Sequence, residues 1–226
     1  MNQTEKTIAR LRELGDAAHL GKMARFGIPS DRAFGVPVPA LRRLARETGR
    51  DHALALALWE TGFHEARLLA PMVARPEEVS VELADRWTGD FDAWDICDLC
   101  CQNLFRKLPF AFELTQRYAR RPEEFVRRTA FALMAALAVG DKASDDERFL
   151  PLFPLIREAS ADPRNFVRKA VNWALRQTGK RNFRLHAEAL QLSRELAASD
   201  DRTAAWIGRD ALRELSEAKI IARIRP

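Results

Sequence analysis

Trp94-Asp95-Ile96-Cys97-Asp98 is the segment whose residue types and spacing best suit chemistry. Trp94 and Asp98 are four apart, so on a helix they share one face. Asp92 and Asp95 lie beside them and make an acidic patch within a basic chain. An indole and a carboxylate on one face suit a cation, because the ring offers cation–π attraction and the carboxylate the opposite charge. Most helical acids are solvated or capping, but a position in mid-helix is a poor one for a cap. A carboxylate turned toward phosphates is repulsive and has no reason to stay there without a task.

The charge around this patch is unevenly spread. From Arg164 to Arg184 there are seven basic residues (Arg164, Arg168, Lys169, Arg176, Lys180, Arg181, Arg184) and no acid. Arg120, Arg121, Arg127 and Arg128 form a second cluster, and Arg42, Arg43 and Arg46 a third. The net charge, 37 − 32 = +5, says little by itself; its distribution says more. A basic stripe is the electrostatic footprint of a protein that binds a nucleic-acid backbone. The plainer alternative is a solvated helical face paired with scattered Glu, which an acid-free run beside Trp173 disfavours. Arg127, Arg168, Lys169, Arg176, Lys180 and Arg181 are the expected backbone contacts.

The elements that would carry these residues read as helices. Segments such as 39–49, 52–62 and 124–140 place apolar residues at three-to-four spacing, and no convincing strand pattern occurs. Pro39, Pro76, Pro109, Pro122 and Pro163 precede helical patterns, where a missing N–H costs nothing. Asp162 is a candidate N-cap for the last of these. Gly49, Gly62, Gly140 and Gly179 stand where helices should stop. Pro122-Glu-Glu-Phe125-Val126-Arg127-Arg128 returns 41 residues later as Pro163-Arg-Asn-Phe166-Val167-Arg168-Lys169, and more weakly 40 residues beyond that at Thr203-Ala-Ala-Trp206-Ile207. A helical repeat of about that length is the mark of HEAT-type α-solenoids. Helix pairs that cannot bury their own apolar faces stack on their neighbours and curve. The expectation is an all-α, HEAT-like solenoid forming one domain over 1–226, with the first two basic clusters, at corresponding repeat positions, aligned into a stripe on its concave face.

Other chemistry finds less support. No apolar run approaches the roughly 18 residues of a membrane span, and the N-terminus lacks a signal-peptide core. Three clustered cysteines do not make a disulfide framework, so a reduced cytosolic setting is expected. Cys97, Cys100 and Cys101 lack a fourth ligand for zinc and read as small buried hydrophobes. The four histidines are dispersed, and no Gly-rich phosphate loop is present. The short Val36-Pro37-Val38-Pro39 stretch reads as an extended entry to a helix. No metal or organic cofactor is expected.

Four motifs occur in order: Phe34-Gly35-Val36-Pro37-Val38-Pro39-Ala40-Leu41-Arg42, then Trp94-Asp95-x-x-Asp98, then Phe125-Val-x-Arg128-x-Ala130, then Phe166-Val-x-Lys169-Ala-x-x-Trp173-x-x-Arg176. Together, over nearly the whole chain, they resemble the AlkD-type family of bacterial DNA alkylation repair glycosylases, which are built of HEAT-like repeats. The resemblance implies removal of cationic N3- and N7-alkylated purines from duplex DNA, leaving an abasic site. It implies that Asp98 is the catalytic carboxylate, that Trp94 and Trp173 flank it, and that Arg128 is the arginine of the catalytic site. It also implies a clamp reading the lesion from the backbone side rather than a tight base-flipping pocket. The partner would be duplex DNA containing alkylated purines, with no membrane and no obligate protein partner, and the protein a monomer in the bacterial cytoplasm acting at the nucleoid.

Chemistry and resemblance agree. A cationic base is already a good leaving group, so the enzyme needs chiefly to stabilise a sugar of oxocarbenium character and to position a water. The bland readings are that Trp173, which falls where Ala132 falls one repeat earlier, fills a core, and that Arg128 pairs with a Glu. Two other functions compete: a noncatalytic HEAT-repeat protein that binds branched or damaged DNA, and a protein-binding adaptor.

Overall fold

Fourteen α-helices and no strand are found among residues 2–224, the residues that the computed structural model describes. The chain divides into two compact units, Met1–Leu108 and Pro109–Pro226. The first unit holds α1 (Gln3–Glu13), α2 (Ala17–Met23), α3 (Val38–Thr48), α4 (His52–Glu60), α5 (His64–Val73), α6 (Val81–Gly89) and α7 (Trp94–Asn103). The second holds α8 (Ala111–Ala119), α9 (Glu124–Gly140), α10 (Leu152–Ala159), α11 (Asn165–Thr178), α12 (Phe183–Ala197), α13 (Arg202–Leu215) and α14 (Ala218–Ile221).

Local signals set most helix ends. Asn2 and Glu5 form a reciprocal capping box at α1, and Asp51, Ser80, Asn182 and Asp201 cap α4, α6, α12 and α13 through their side chains. Gly49 ends α3 with φ 74, a conformation that favours glycine. Three expected boundaries fall differently. Gly179 closes α11 with φ −69, in the right-handed region, and its missing side chain instead leaves room for Ala189 and Leu215. Pro76 begins only a short 3-10 turn. Asp162 does not cap α11, whose N-cap is Arg164; its carboxylate accepts the Arg164 N–H at 3.1 Å and is held by the Arg164 and Arg127 guanidinium groups.

The repeat is legible in space as a ladder of equivalent contacts. In the second unit Arg120 meets Glu158, Arg157 meets Glu195, Asn172 meets Asp210 and Arg128 meets the Phe166 carbonyl, each 38 residues on. The rings of Phe125 and Phe166 stand 5.6 Å apart at the starts of α9 and α11. In the first unit the step is shorter: Trp59 to Asp90 and His64 to Asp95 are both 31 residues. Residues that recur at a constant step in sequence and touch in space are what stacked helical repeats require. α9 packs on both α8 and α11, and α12 on α13. Its alanines, Ala130 to Ala138, are buried and allow close approach. The first unit is centred on the stacked indoles of Trp59 and Trp87, 4.2 Å apart.

Gly208 lies where α13 crosses α12 so closely that a Cβ would strike the backbone of Ala197, Leu196 and Ser193. Backbone has no rotamer to move aside. The Gly208→Ala protein is therefore expected to lose about 1–3 kcal/mol through overpacking. This outweighs the gain of up to about 1 kcal/mol in helix propensity. A denaturant midpoint that stays level or rises would contradict so tight a crossing.

Candidate functional site

α7 positions the acidic motif. Its first residue, Trp94, is half-buried, and the indole Nε1 donates to the Phe26 carbonyl at 2.9 Å. That carbonyl sits in the 3-10 turn Ala24–Phe26, which Gly27 closes at φ 70. The indole is thus pinned at its polar edge. Asp98 follows one turn later, half-buried. Cys97, Cys100 and Cys101 of the same helix are all fully buried. Burial, with help from neighbouring Cys97, pushes the Cys100 and Cys101 thiols well above the ordinary range, so they are neutral packing groups.

The remaining acids of the patch are engaged locally. Asp95 bonds the His64 ring Nε2 at 2.9 Å. Burial disfavours a charge on that imidazole, but the Asp95 hydrogen bond and the charges of Asp95, Glu65 and Asp92 outweigh it and raise its pKa. Asp92 is exposed and lies 3.8 Å from Arg67, and Asp90, just ahead of the patch, accepts from the Trp59 indole at 2.8 Å. Asp95 therefore belongs to the scaffold, and Asp98 is the acid of this motif that shares a helix face with Trp94. Among the described residues no group of three His, Cys, Asp or Glu side chains is placed to hold a metal ion.

In the second unit Arg128 lies on α9 and is only 5% exposed. Its Nη1 donates to the Phe166 carbonyl at 2.6 Å and so ties α9 to the first turn of α11. α11 also bears Trp173, half-buried, and Lys169, exposed one turn earlier. Trp173 thus keeps part of its surface in water at a position where Ala132 of α9 is fully buried.

The expected backbone contacts fare unequally. The stretch from Arg164 to Arg184 is free of acids along the chain but not in space. Arg176 and Lys180 both pair with Glu214 of α13, and Arg176 lies 3.9 Å from Asp210. Burial works against the Glu214 charge, yet Lys180 and Arg176 hold its carboxyl below the usual range. Arg127 pairs with buried Asp162 at 3.0 Å and donates to the Ala119 carbonyl. Arg184 pairs with Glu147 at 2.7 Å. Arg181 covers the Phe149 ring at 4.1 Å and donates to the Asp141 and Ser144 carbonyls, stapling the loop after α9. Arg168 lies over the Trp206 ring at 5.3 Å and Lys169 is exposed; neither has a carboxylate partner among the described residues. Asp210 and Glu214, four apart on α13, were the sequence signal for this neutralisation.

The chain matches the family described as DNA alkylation repair enzyme over residues 7–215. Among solved structures it is similar to one described as "a new family of proteins related to the HEAT-like repeat DNA glycosylases with affinity for branched DNA structures". That likeness has a TM-score of 0.79 at 17% identity, over 94% of this chain and 95% of that one. At such identity it speaks to the fold, which is HEAT-like. A designed armadillo repeat protein, 16% identical over 88% of this chain and 100% of that one, reaches a TM-score of only 0.35. No curated protein gives a match to the sequence.

Proposed function

The chain belongs to the DNA alkylation repair enzyme family, and from that premise we propose that it is a monofunctional DNA glycosylase. Its substrates are cationic N3- and N7-alkylated purines in duplex DNA. As the C1′–N bond breaks, its electron pair leaves with the purine and neutralises the base. The water oxygen then bonds C1′ and its proton passes to the surrounding solvent, which leaves the abasic sugar. Asp98 steadies the positive sugar and orients the water, and the faces of Trp94 and Trp173 add cation–π attraction. Arg128, so deeply buried, is a positioning residue that holds the helix bearing Trp173 through the Phe166 carbonyl. We take both units as one functional domain, working as a monomer in a bacterial cytoplasm.

The observation that carries this reading is an indole fixed by a 2.9 Å hydrogen bond, with a half-buried carboxylate one turn along the same helix. Incubation with duplex containing N7-methylguanine, followed by cleavage at abasic sites, tests it. A noncatalytic reading is favoured by the branched-DNA affinity described for the similar structure. Tight binding to junctions with no base released would establish that alternative.

Lys169 and Arg168 are the first candidates for phosphate contact, because Arg127, Arg176 and Lys180 must exchange a protein carboxylate for a phosphate and Arg181 must release carbonyls. Lys169→Ala is expected to weaken duplex binding uniformly across sequences and to lower the salt slope by about 1. Anisotropy titrations across a range of potassium chloride measure this. A slope equal to that of the wild type removes Lys169 from the interface.

A further inference from the structure

The third basic cluster, in the first unit, is not used by the mechanism above. Arg42 and Arg46 are one turn apart on the exposed side of α3, and Arg50 follows just after the Gly49 stop. All three line a groove of about 370 Å³, with Met72 from the end of α5 and Asn103 from the end of α7. Arg106 and Lys107 follow directly in the next turn, Phe105–Lys107. Partial burial lowers the Lys107 pKa, and repulsion from Arg50 and Arg106 lowers it further, so these three cations crowd together.

Helix ends do not account for so much charge. Three C-termini, those of α3, α5 and α7, offer about −0.5 each, or roughly −1.5 in all, against five cations. Arg50 and Arg106 do donate to the Ala74 and Gln102 carbonyls. Arg42, Arg46 and Lys107 have no ion pair among the described residues. Glu47, the carboxylate of α3, lies about 100° around the helix from Arg46. No acid lines the groove, and its cations outnumber the charge of one small ion.

We propose that this groove, lined by Arg42 and Arg46 and with Lys107 alongside at Arg50, is a second phosphate-backbone contact, which grips duplex DNA independently of the α11 residues. It rests on the nucleic-acid reading above and extends it to a unit whose α7 carries the acidic motif.

The test uses the full chain, an undamaged duplex and a salt series, so that no catalysis is involved. Arg42→Gln with Arg46→Gln should lower the salt slope by about 2, and Lys107→Gln alone by about 1. Thermal melting confirms the fold; if the double variant does not fold, the Lys107→Gln protein decides. Binding by the wild type with an unchanged slope in the variants overturns the groove while leaving the glycosylase reading intact. Inorganic phosphate is titrated in parallel: competition confined to free phosphate, with duplex binding untouched by the substitutions, also overturns it. A wild-type protein that ignores duplex DNA at low salt overturns both readings together.

Discussion

In the Asp98→Asn protein, release of N7-methylguanine is expected to fall on the order of 10³-fold, while affinity for the duplex stays level or rises. The substitution keeps the shape of the side chain and removes its charge. A preorganised charge aimed at a transition state is worth about 10²–10³ in rate when deleted. Here the full charge on the sugar is at stake, which places the loss at the upper end. Ground-state binding moves the other way, because the lost negative charge stood among phosphates. This opposite movement separates catalysis from folding or docking, since a misfolded protein loses both. Single-turnover excision with enzyme in excess gives the chemical step, and anisotropy on undamaged duplex gives affinity. Full activity in this variant would refute the assigned role. Equal loss of rate and affinity would make Asp98 a structural residue of α7, whose neighbours Cys97 and Cys101 are wholly buried.

The fold was legible because it rests on short-range signals. The return of Phe125-Val126 as Phe166-Val167 marked the repeat, and the two rings do stack. The cysteines were legible for a similar reason: Cys97 and Cys101 share a helix face, and that face is buried. Charge was less legible. The acid-free stretch of α11 looked like a bare cationic face, yet its partners come from α13, 38 residues away. In a stacked repeat a side chain's nearest neighbours lie one repeat along the chain, so composition within a window misjudges the local field. Hydrophobic period survives that blindness because each helix must bury a stripe whatever its neighbour is. Pairing of charges does not survive it. The Val36-Pro37-Val38-Pro39 stretch reads as an extended entry to α3, with no hint of what holds the chain there.

What holds it is Glu65, and Glu65→Ala is expected to cost about 3–9 kcal/mol of stability in the first unit. Glu65 lies in the first turn of α5 and is 1% exposed. One oxygen accepts the Phe34 N–H at 2.8 Å, and the other accepts those of Gly35 and Val36 at 2.7 and 3.2 Å. Three successive amides thus meet one carboxylate, on a segment that has no helix or strand partner for them. Truncation leaves these donors with little access to water, at about 1–3 kcal/mol for each unsatisfied group. The total rivals the whole stability of an ordinary domain, about 5–15 kcal/mol. Gly35 suits this turn: its φ is +79, and a Cβ there would strike the backbone of Asp16 and Leu20, so the position admits only glycine. Glu65→Gln keeps one accepting oxygen but sets an NH₂ group against an N–H, so it should fall between wild type and Glu65→Ala. Denaturant unfolding gives the loss, and hydrogen exchange locates it. The amides of Phe34, Gly35 and Val36 should lose protection first, ahead of the core around Trp59 and Trp87. If they exchange no faster in Glu65→Ala than in the wild type, the carboxylate is not what orders this segment. An intact Phe34–Val36 segment with a lower midpoint would instead place the cost in α5 itself, where Glu65 favours the helix dipole.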